Sequence, residues 1–186
     1  TASAQMVEAI LFDRKKILAG IITFFGLLVV GSYILGFGLH PNALDLWGRM
    51  PQTVQQLITT NMLIAASGFM VFSGFIVFRI DPILTRVISR LSYSVFHFLY
   101  LLVLIPSALW MPLALQALDT GSMVWVWTAR AVLILVGLGS IGILTALMTV
   151  HPRPHRWLHI FSILGCLFFC LQTVVFDPII WSIYFP

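Results

Sequence analysis

The chain has 186 residues, of which 60% are hydrophobic and only 9% charged, with a formal net charge of +4 at pH 7. A soluble domain carries about 25% charged residues, so this composition excludes an ordinary globular domain. Inside a bilayer only helices and closed barrels satisfy the backbone, and barrel strands alternate apolar and polar residues. The apolar runs here are continuous and near the ~20 residues that a helix needs to cross a ~30 Å core. The predicted fold class is therefore all-α: a polytopic transmembrane helical bundle of five spans forming a single membrane domain over residues 1–186.

In chain order, the first span is expected over residues 17–38, after Arg14, Lys15 and Lys16. Its apolar run is longer than the usual ~7–15 residues of a signal peptide, and no small-residue cleavage pattern follows. Residues 1–16 are expected to form a short interfacial helix. The loop from Leu39 to Gln56 carries Pro41, Asp45, Trp47 and Pro51 and can hold a short helix on the membrane surface. The second span, 57–78, stops at Arg79. Asp81 suits a helix N-cap with Pro82 at the first helical position, predicting a short interfacial helix before Arg90. The third span, 91–110, is interrupted by Pro106, which should kink it, with Pro112 at its far end. The fourth runs over 124–150 and the fifth over 157–176, ending just before Asp177-Pro178.

Basic residues fix the expected orientation. Arg14, Lys15, Lys16, Arg79, Arg86, Arg90, Arg153 and Arg156 fall at one side, and only Arg49 and Arg130 at the other. The positive-inside rule then places the N-terminus inside and the C-terminus outside. Trp47, Trp110, Trp125, Trp127 and Trp181 mark the outer interface, where amphipathic rings sit. The positive charge thus reflects topology and contact with anionic lipid. No soluble basic surface with interleaved aromatics points to nucleic acid.

Several motif-like patterns read as packing. Gly137, Gly139 and Gly142 spell GxGxxG, but a dinucleotide site needs a strand before the motif and a helix start at the phosphate. In mid-bilayer, small residues let helices approach closely. Gly20, Gly26, Gly31, Gly68 and Gly74 are assigned the same role, and Cys166 and Cys170 are read as small packing residues.

Ionisable groups inside a membrane are costly and point to function. No Asp, Glu or Lys falls in a predicted span core, which weighs against ion-coupled transport. The third span carries a polar stripe, Tyr93, His97 and Tyr100, on one helical face. Segment 151–159 concentrates three of the five histidines: His151, His155 and His159. His155 and His159, one turn apart, can share a metal on a helix face, although Arg153 and Arg156 would repel a cation; the plainer reading is a tight basic turn against lipid phosphates. His97 and His159 enter parallel spans at depths differing by roughly 6 Å. They are therefore candidate ligands for a single haem b or a pigment, with Tyr93 and Tyr100 nearby and Arg90 or Arg156 for the propionates. Trp157-Leu158-His159 followed by an apolar run resembles the fifth-span entry of ferric-reductase-like haem membrane domains. Those domains carry a second histidine further along each ligand helix. Here Gln172 and Thr173 stand there and the third span has none, which excludes two haems. Outside, Arg130 is expected to pair with Asp119 or Asp177.

Three functions remain. The first is a non-catalytic subunit, or an assembly or scaffold factor, of a membrane complex, whose partners are lipids and other membrane subunits. The second is a single-haem or pigment-binding electron-transfer protein using His97 and His159. The third is a transporter, channel or lipid-binding protein with an apolar intramembrane pocket. No nucleophile–base pair can be argued from spacing, so enzymatic chemistry is disfavoured.

Overall fold

The computed structural model describes residues 2–41, 43–87, 91–152 and 155–185, with side chains in the first helix from Asp13 on. Arg90 and Arg153 lie outside the described residues. The chain is helical almost throughout: α1 (Ala2–Leu39), α2 (Gln52–Arg79), α3 (Ser94–Thr120), α4 (Met123–Thr149) and α5 (Arg156–Cys170). α5 continues without a break as a π-helix over Leu171–Trp181 and a final turn, Ser182–Tyr184. Five stretches are long and apolar enough to cross a membrane: Asp13–Leu39, Gln52–Arg79, Ser94–Thr120, Met123–Thr149 and Arg156–Tyr184. The chain is accordingly an all-helical, multi-pass membrane protein whose outer faces would contact lipid.

Element boundaries depart from expectation in four places. Residues 2–16 are the start of α1 itself and not a separate interfacial helix. No Gly or Pro interrupts the run before Gly20, and Ala, Gln, Met, Glu, Leu and Lys all favour helix. α3 passes through both Pro106 and Pro112 to Thr120, because each proline removes one backbone bond while the flanking turns hold. Its end is set by Gly121, whose left-handed backbone (φ 61) lets its N–H reach the Ala117 carbonyl. The fifth crossing does not stop at Phe176. Asp177 and Pro178 lie within the π segment. Finally, residues 80–87 form no helix. Asp81 accepts the N–H groups of Ile83 and Leu84 (2.8 and 3.3 Å) to cap a turn. Arg86 then exchanges two backbone bonds with His151 (2.9 and 3.1 Å), tying this loop to the α4–α5 loop. The remote loop supplies backbone partners to Arg86, while Val87 exchanges two bonds with Leu91 (2.9 Å each).

Packing follows the small residues. α3 and α4 form a tight hairpin, α2 packs on α5, α1 lies on α3, and α4 contacts both α5 and the π segment. Where α2 crosses α5, Gly68 faces Gly165 so closely that a Cβ on Gly68 would lie 2.5 Å from the Gly165 carbonyl oxygen. A Cβ on Gly142 would meet the Leu99 side chain, and one on Gly139 would fall 2.7 Å from Val103. The GxGxxG glycines therefore serve helix contact. Gly20, Gly26, Gly31 and Gly74 do not: nothing lies within 4 Å of a Cβ placed on them. One core, centred on Phe72, Ile76, Phe96, Tyr100, Ile143 and Leu147, fills the half toward the basic loops. A smaller one, with Leu46, Met111, Leu133, Trp181 and Phe185, closes the tryptophan-rich end. There a short 3-10 helix, Ala43–Trp47, occupies the loop after α1.

Candidate functional site

The two histidines proposed as haem ligands bond to different helices. His97 on α3 donates its Nε2 proton to the Arg14 carbonyl of α1 (2.9 Å), since a carbonyl only accepts. Its Nδ1 is buried without a partner. His159 on α5 is buried and donates Nε2–H to the Leu147 carbonyl of α4 (2.7 Å), its ring 5.5 Å from that of Phe75. The principal helix pairings do not include α3 with α5. A haem between these rings would have to break both Nε2 bonds. The neighbouring tyrosines are also engaged: Tyr93 donates to the Ile76 carbonyl (3.2 Å), and the Tyr100 hydroxyl pairs with Ser73 (2.7 Å). Arg156 is exposed at the start of α5. His159→Phe should keep the aromatic packing on Phe75 but leave the Leu147 carbonyl unsatisfied. The expected cost is about 1–3 kcal/mol, read as a lowered melting temperature in detergent.

His155 and His159 do not share a face. His155 is the exposed N-cap of α5 in left-handed backbone (φ 49), whereas His159 points into the bundle. Among the described residues no group of three His, Cys, Asp or Glu side chains converges as a metal site. The outer ion pair is also built differently from the expectation. Asp119 is met by His40, whose Nε2 lies 2.9 Å from each carboxylate oxygen. Arg130 instead donates to the Ser182 and Phe185 carbonyls (2.9 and 3.1 Å) and stands over the Trp127 ring. It thereby caps the carboxyl end of the last helix, where the helix dipole attracts a cation.

Asp177 has a different partner. Gln172 donates Nε2–H to its carboxylate (2.7 Å), and the Gln172 carbonyl accepts from Asn61 Nδ2 of α2 (2.9 Å). Asn61 also donates to the Phe168 carbonyl (3.3 Å). Asn61 and Gln172 are both buried. One turn deeper, Thr173 pairs with Ser140 of α4 (2.7 Å). The π segment thus carries a connected set of polar contacts within the bundle. π-helical turns recur at functional sites. Pro178 has no N–H, so the π-type bond to the Thr173 carbonyl cannot form. That oxygen lies where a Cβ on Gly137 would stand 2.9 Å from it.

By sequence, Asp177 falls just beyond the fifth span, and neither Gln172 nor Asn61 announces a partner. The available signal was two lone carboxamides in otherwise apolar runs, Asn61 and Gln172, with an aspartate five residues after the second. On the lipid-facing side, α1 and α3 also enclose an open groove of about 390 Å³, walled by Leu35, Gly36, Met111, Pro112 and Leu115, with His40 at its rim.

No protein-family model matches the chain, and neither a curated protein nor a solved structure is similar enough to count as a match.

Proposed function

We propose that the chain is a non-catalytic subunit of a membrane complex, oriented with its basic loops inside and joined to a partner through α1. The observation that carries this reading is how little of α1 is buried. Only 6% of its most apolar stretch is buried, against 28–44% in the other four spans. Gly20, Phe24, Leu27, Gly31, Ile34 and Gly38 recur at alternating steps of four and three on one face. That is the spacing of a coiled-coil seam. Phe24, Leu27 and Ile34 are 61%, 67% and 65% exposed, and nothing fills the space beside the three glycines. Glycines beside large apolar side chains let a second transmembrane helix approach closely. His97 Nε2, His159, Tyr93 and Tyr100 hold hydrogen bonds within the bundle, which supports a packing role for them.

Photo-crosslinking tests this in the native membrane. A diazirine side chain at Leu27 should capture a discrete protein. The same probe at Leu138 of α4, which is 56% exposed, should label lipid alone. Identical lipid-only labelling at both positions would sink the proposal.

A further inference from the structure

We infer that Arg86 and His151 form a two-pronged site for a lipid whose headgroup ends in a phosphate monoester. The two residues come from different loops, and each donates its backbone N–H to the other's carbonyl (2.9 and 3.1 Å). This is the hydrogen-bonded type of antiparallel pair, in which the Cα atoms stand about 5.5 Å apart and both side chains leave the same face. Burial fixes which face that is. Thr85, Val87 and Val150 are buried, whereas Arg86 and His151 are exposed. The guanidinium and the imidazole therefore project side by side, away from the bundle. Basic groups directly opposite each other repel. Among the described residues the one ion pair is His40 with Asp119, so no carboxylate lies against either group. Asp81, the acidic residue of the same loop as Arg86, is turned to the Ile83 and Leu84 N–H groups. An anion seated between Arg86 and His151 converts their repulsion into attraction.

The donors select the anion. His151 gives Nδ1–H to the Thr149 carbonyl (3.0 Å), which leaves Nε2 as its outward nitrogen. A ring carrying both protons can hold that bond and donate Nε2–H to a ligand at the same time. Arginine adds a planar fork that takes two phosphate oxygens together. The fork and the imidazolium make three donors and two positive charges. A phosphate monoester offers three terminal oxygens and a charge of about −1.5 to −2. The diester of an ordinary phospholipid offers two oxygens and a single charge. The surroundings identify the source as a lipid. Ile83 and Leu84, in the loop that carries Arg86, are 47% and 65% exposed, and Trp157 at the start of α5 is 74% exposed. Apolar and indole side chains left bare at the ends of spans settle at the headgroup level of a bilayer. That places the basic pair among lipid phosphates. The inference stands apart from the subunit reading, since it concerns the basic loops and not the α1 face.

The purified protein in an uncharged detergent is titrated with dioctanoyl phosphatidic acid and with dioctanoyl phosphatidylserine, and binding is read by thermophoresis. The monoester should bind about tenfold tighter or more. Arg86→Ala should remove that preference; the side chain is exposed and the backbone pairing does not depend on it. Arg86→Lys keeps the charge without the fork and should restore only part of it. Arg79→Ala takes an equal charge from an exposed position at the same end, outside the pair, and should leave the preference intact. Equal losses in Arg79→Ala and Arg86→Ala would mean a diffuse basic surface and overturn the site. So would equal affinity of the wild-type protein for the two lipids. Glycerol phosphate, which has the same phosphate and no acyl chains, should fail to compete at equal concentration. Competition on equal terms would make the ligand a soluble phosphate ester and overturn the lipid assignment.

Discussion

Trp181→Ala is expected to lower stability by about 3–5 kcal/mol, the usual cost of removing a large buried aromatic side chain. For a chain of this size that is a fall in melting temperature of roughly 6–20 °C. Trp181 is 6% exposed. It stacks on Phe185 (4.3 Å between centroids), meets Trp110 edge-on (5.5 Å) and donates its indole N–H to the Leu46 carbonyl (2.9 Å). One side chain therefore joins the end of the π segment to α3 and to the 3-10 helix after α1. Trp181→Phe separates these contributions. It retains most of the ring contact but strands the Leu46 carbonyl, for an expected loss of about 1–3 kcal/mol. Thermal unfolding of both variants in the same detergent checks the ratio. Equal losses would mean that the hydrogen bond, and not the packing, anchors this end.

Gly68→Val should be comparably severe by a different route. Its Cβ would stand 2.5 Å from the Gly165 carbonyl oxygen and 2.8 Å from the Gly165 Cα. Both neighbours are backbone, so no rotamer change relieves the clash, and α2 must part from α5. Overpacking of this kind costs about 1–3 kcal/mol or more. Here the separation also pulls Asn61 away from Gln172 and the Phe168 carbonyl. The expected drop in melting temperature is about 2–12 °C. Gly74→Ala is the control. Gly74 is on the same helix with nothing within 4 Å, and alanine there should be neutral or stabilising by up to about 1 kcal/mol. If Gly68→Val melts like Gly74→Ala, the two helices do not meet at Gly165.

These two residues mark how far the sequence could be read. The tryptophans were assigned to one interface from their positions at span ends, and the structure gathers Trp110 and Trp181 into one cluster there. That Trp181 anchors the loop after α1 depends on a contact 135 residues away in sequence, which no local pattern reports. The glycines taught the converse. Gly68 and Gly31 look alike in their own apolar runs, yet one touches backbone and the other faces open space. Composition says that a residue permits close approach; only the partner helix says whether the approach occurs.

The partners of the candidate ligands were hidden from the sequence for a similar reason. His97 and His159 were matched by depth, which a sequence can estimate from distance to the span ends. Whether two helices are neighbours is a question of lateral order, and hydropathy is silent on it. In the fold, α3 pairs with α1 and α4, and α5 with α2 and α4, so each histidine found a backbone carbonyl on its own neighbour. Asp177 was misplaced because Asp-Pro ordinarily ends a helix. Here a π-helical register carried the chain past it.

The sequence by itself determined the class, the number of crossings and their approximate limits, because a bilayer imposes length and apolarity on each segment independently of the others. The tertiary structure alone decided which polar groups meet. Asn61, Gln172 and Asp177 become one chain, Arg130 turns to carbonyls, and α1 stands exposed at the edge. Hydrogen bonds reach only about 3 Å, and such distances between remote residues are set by how helices pack side by side, a property that belongs to no single span.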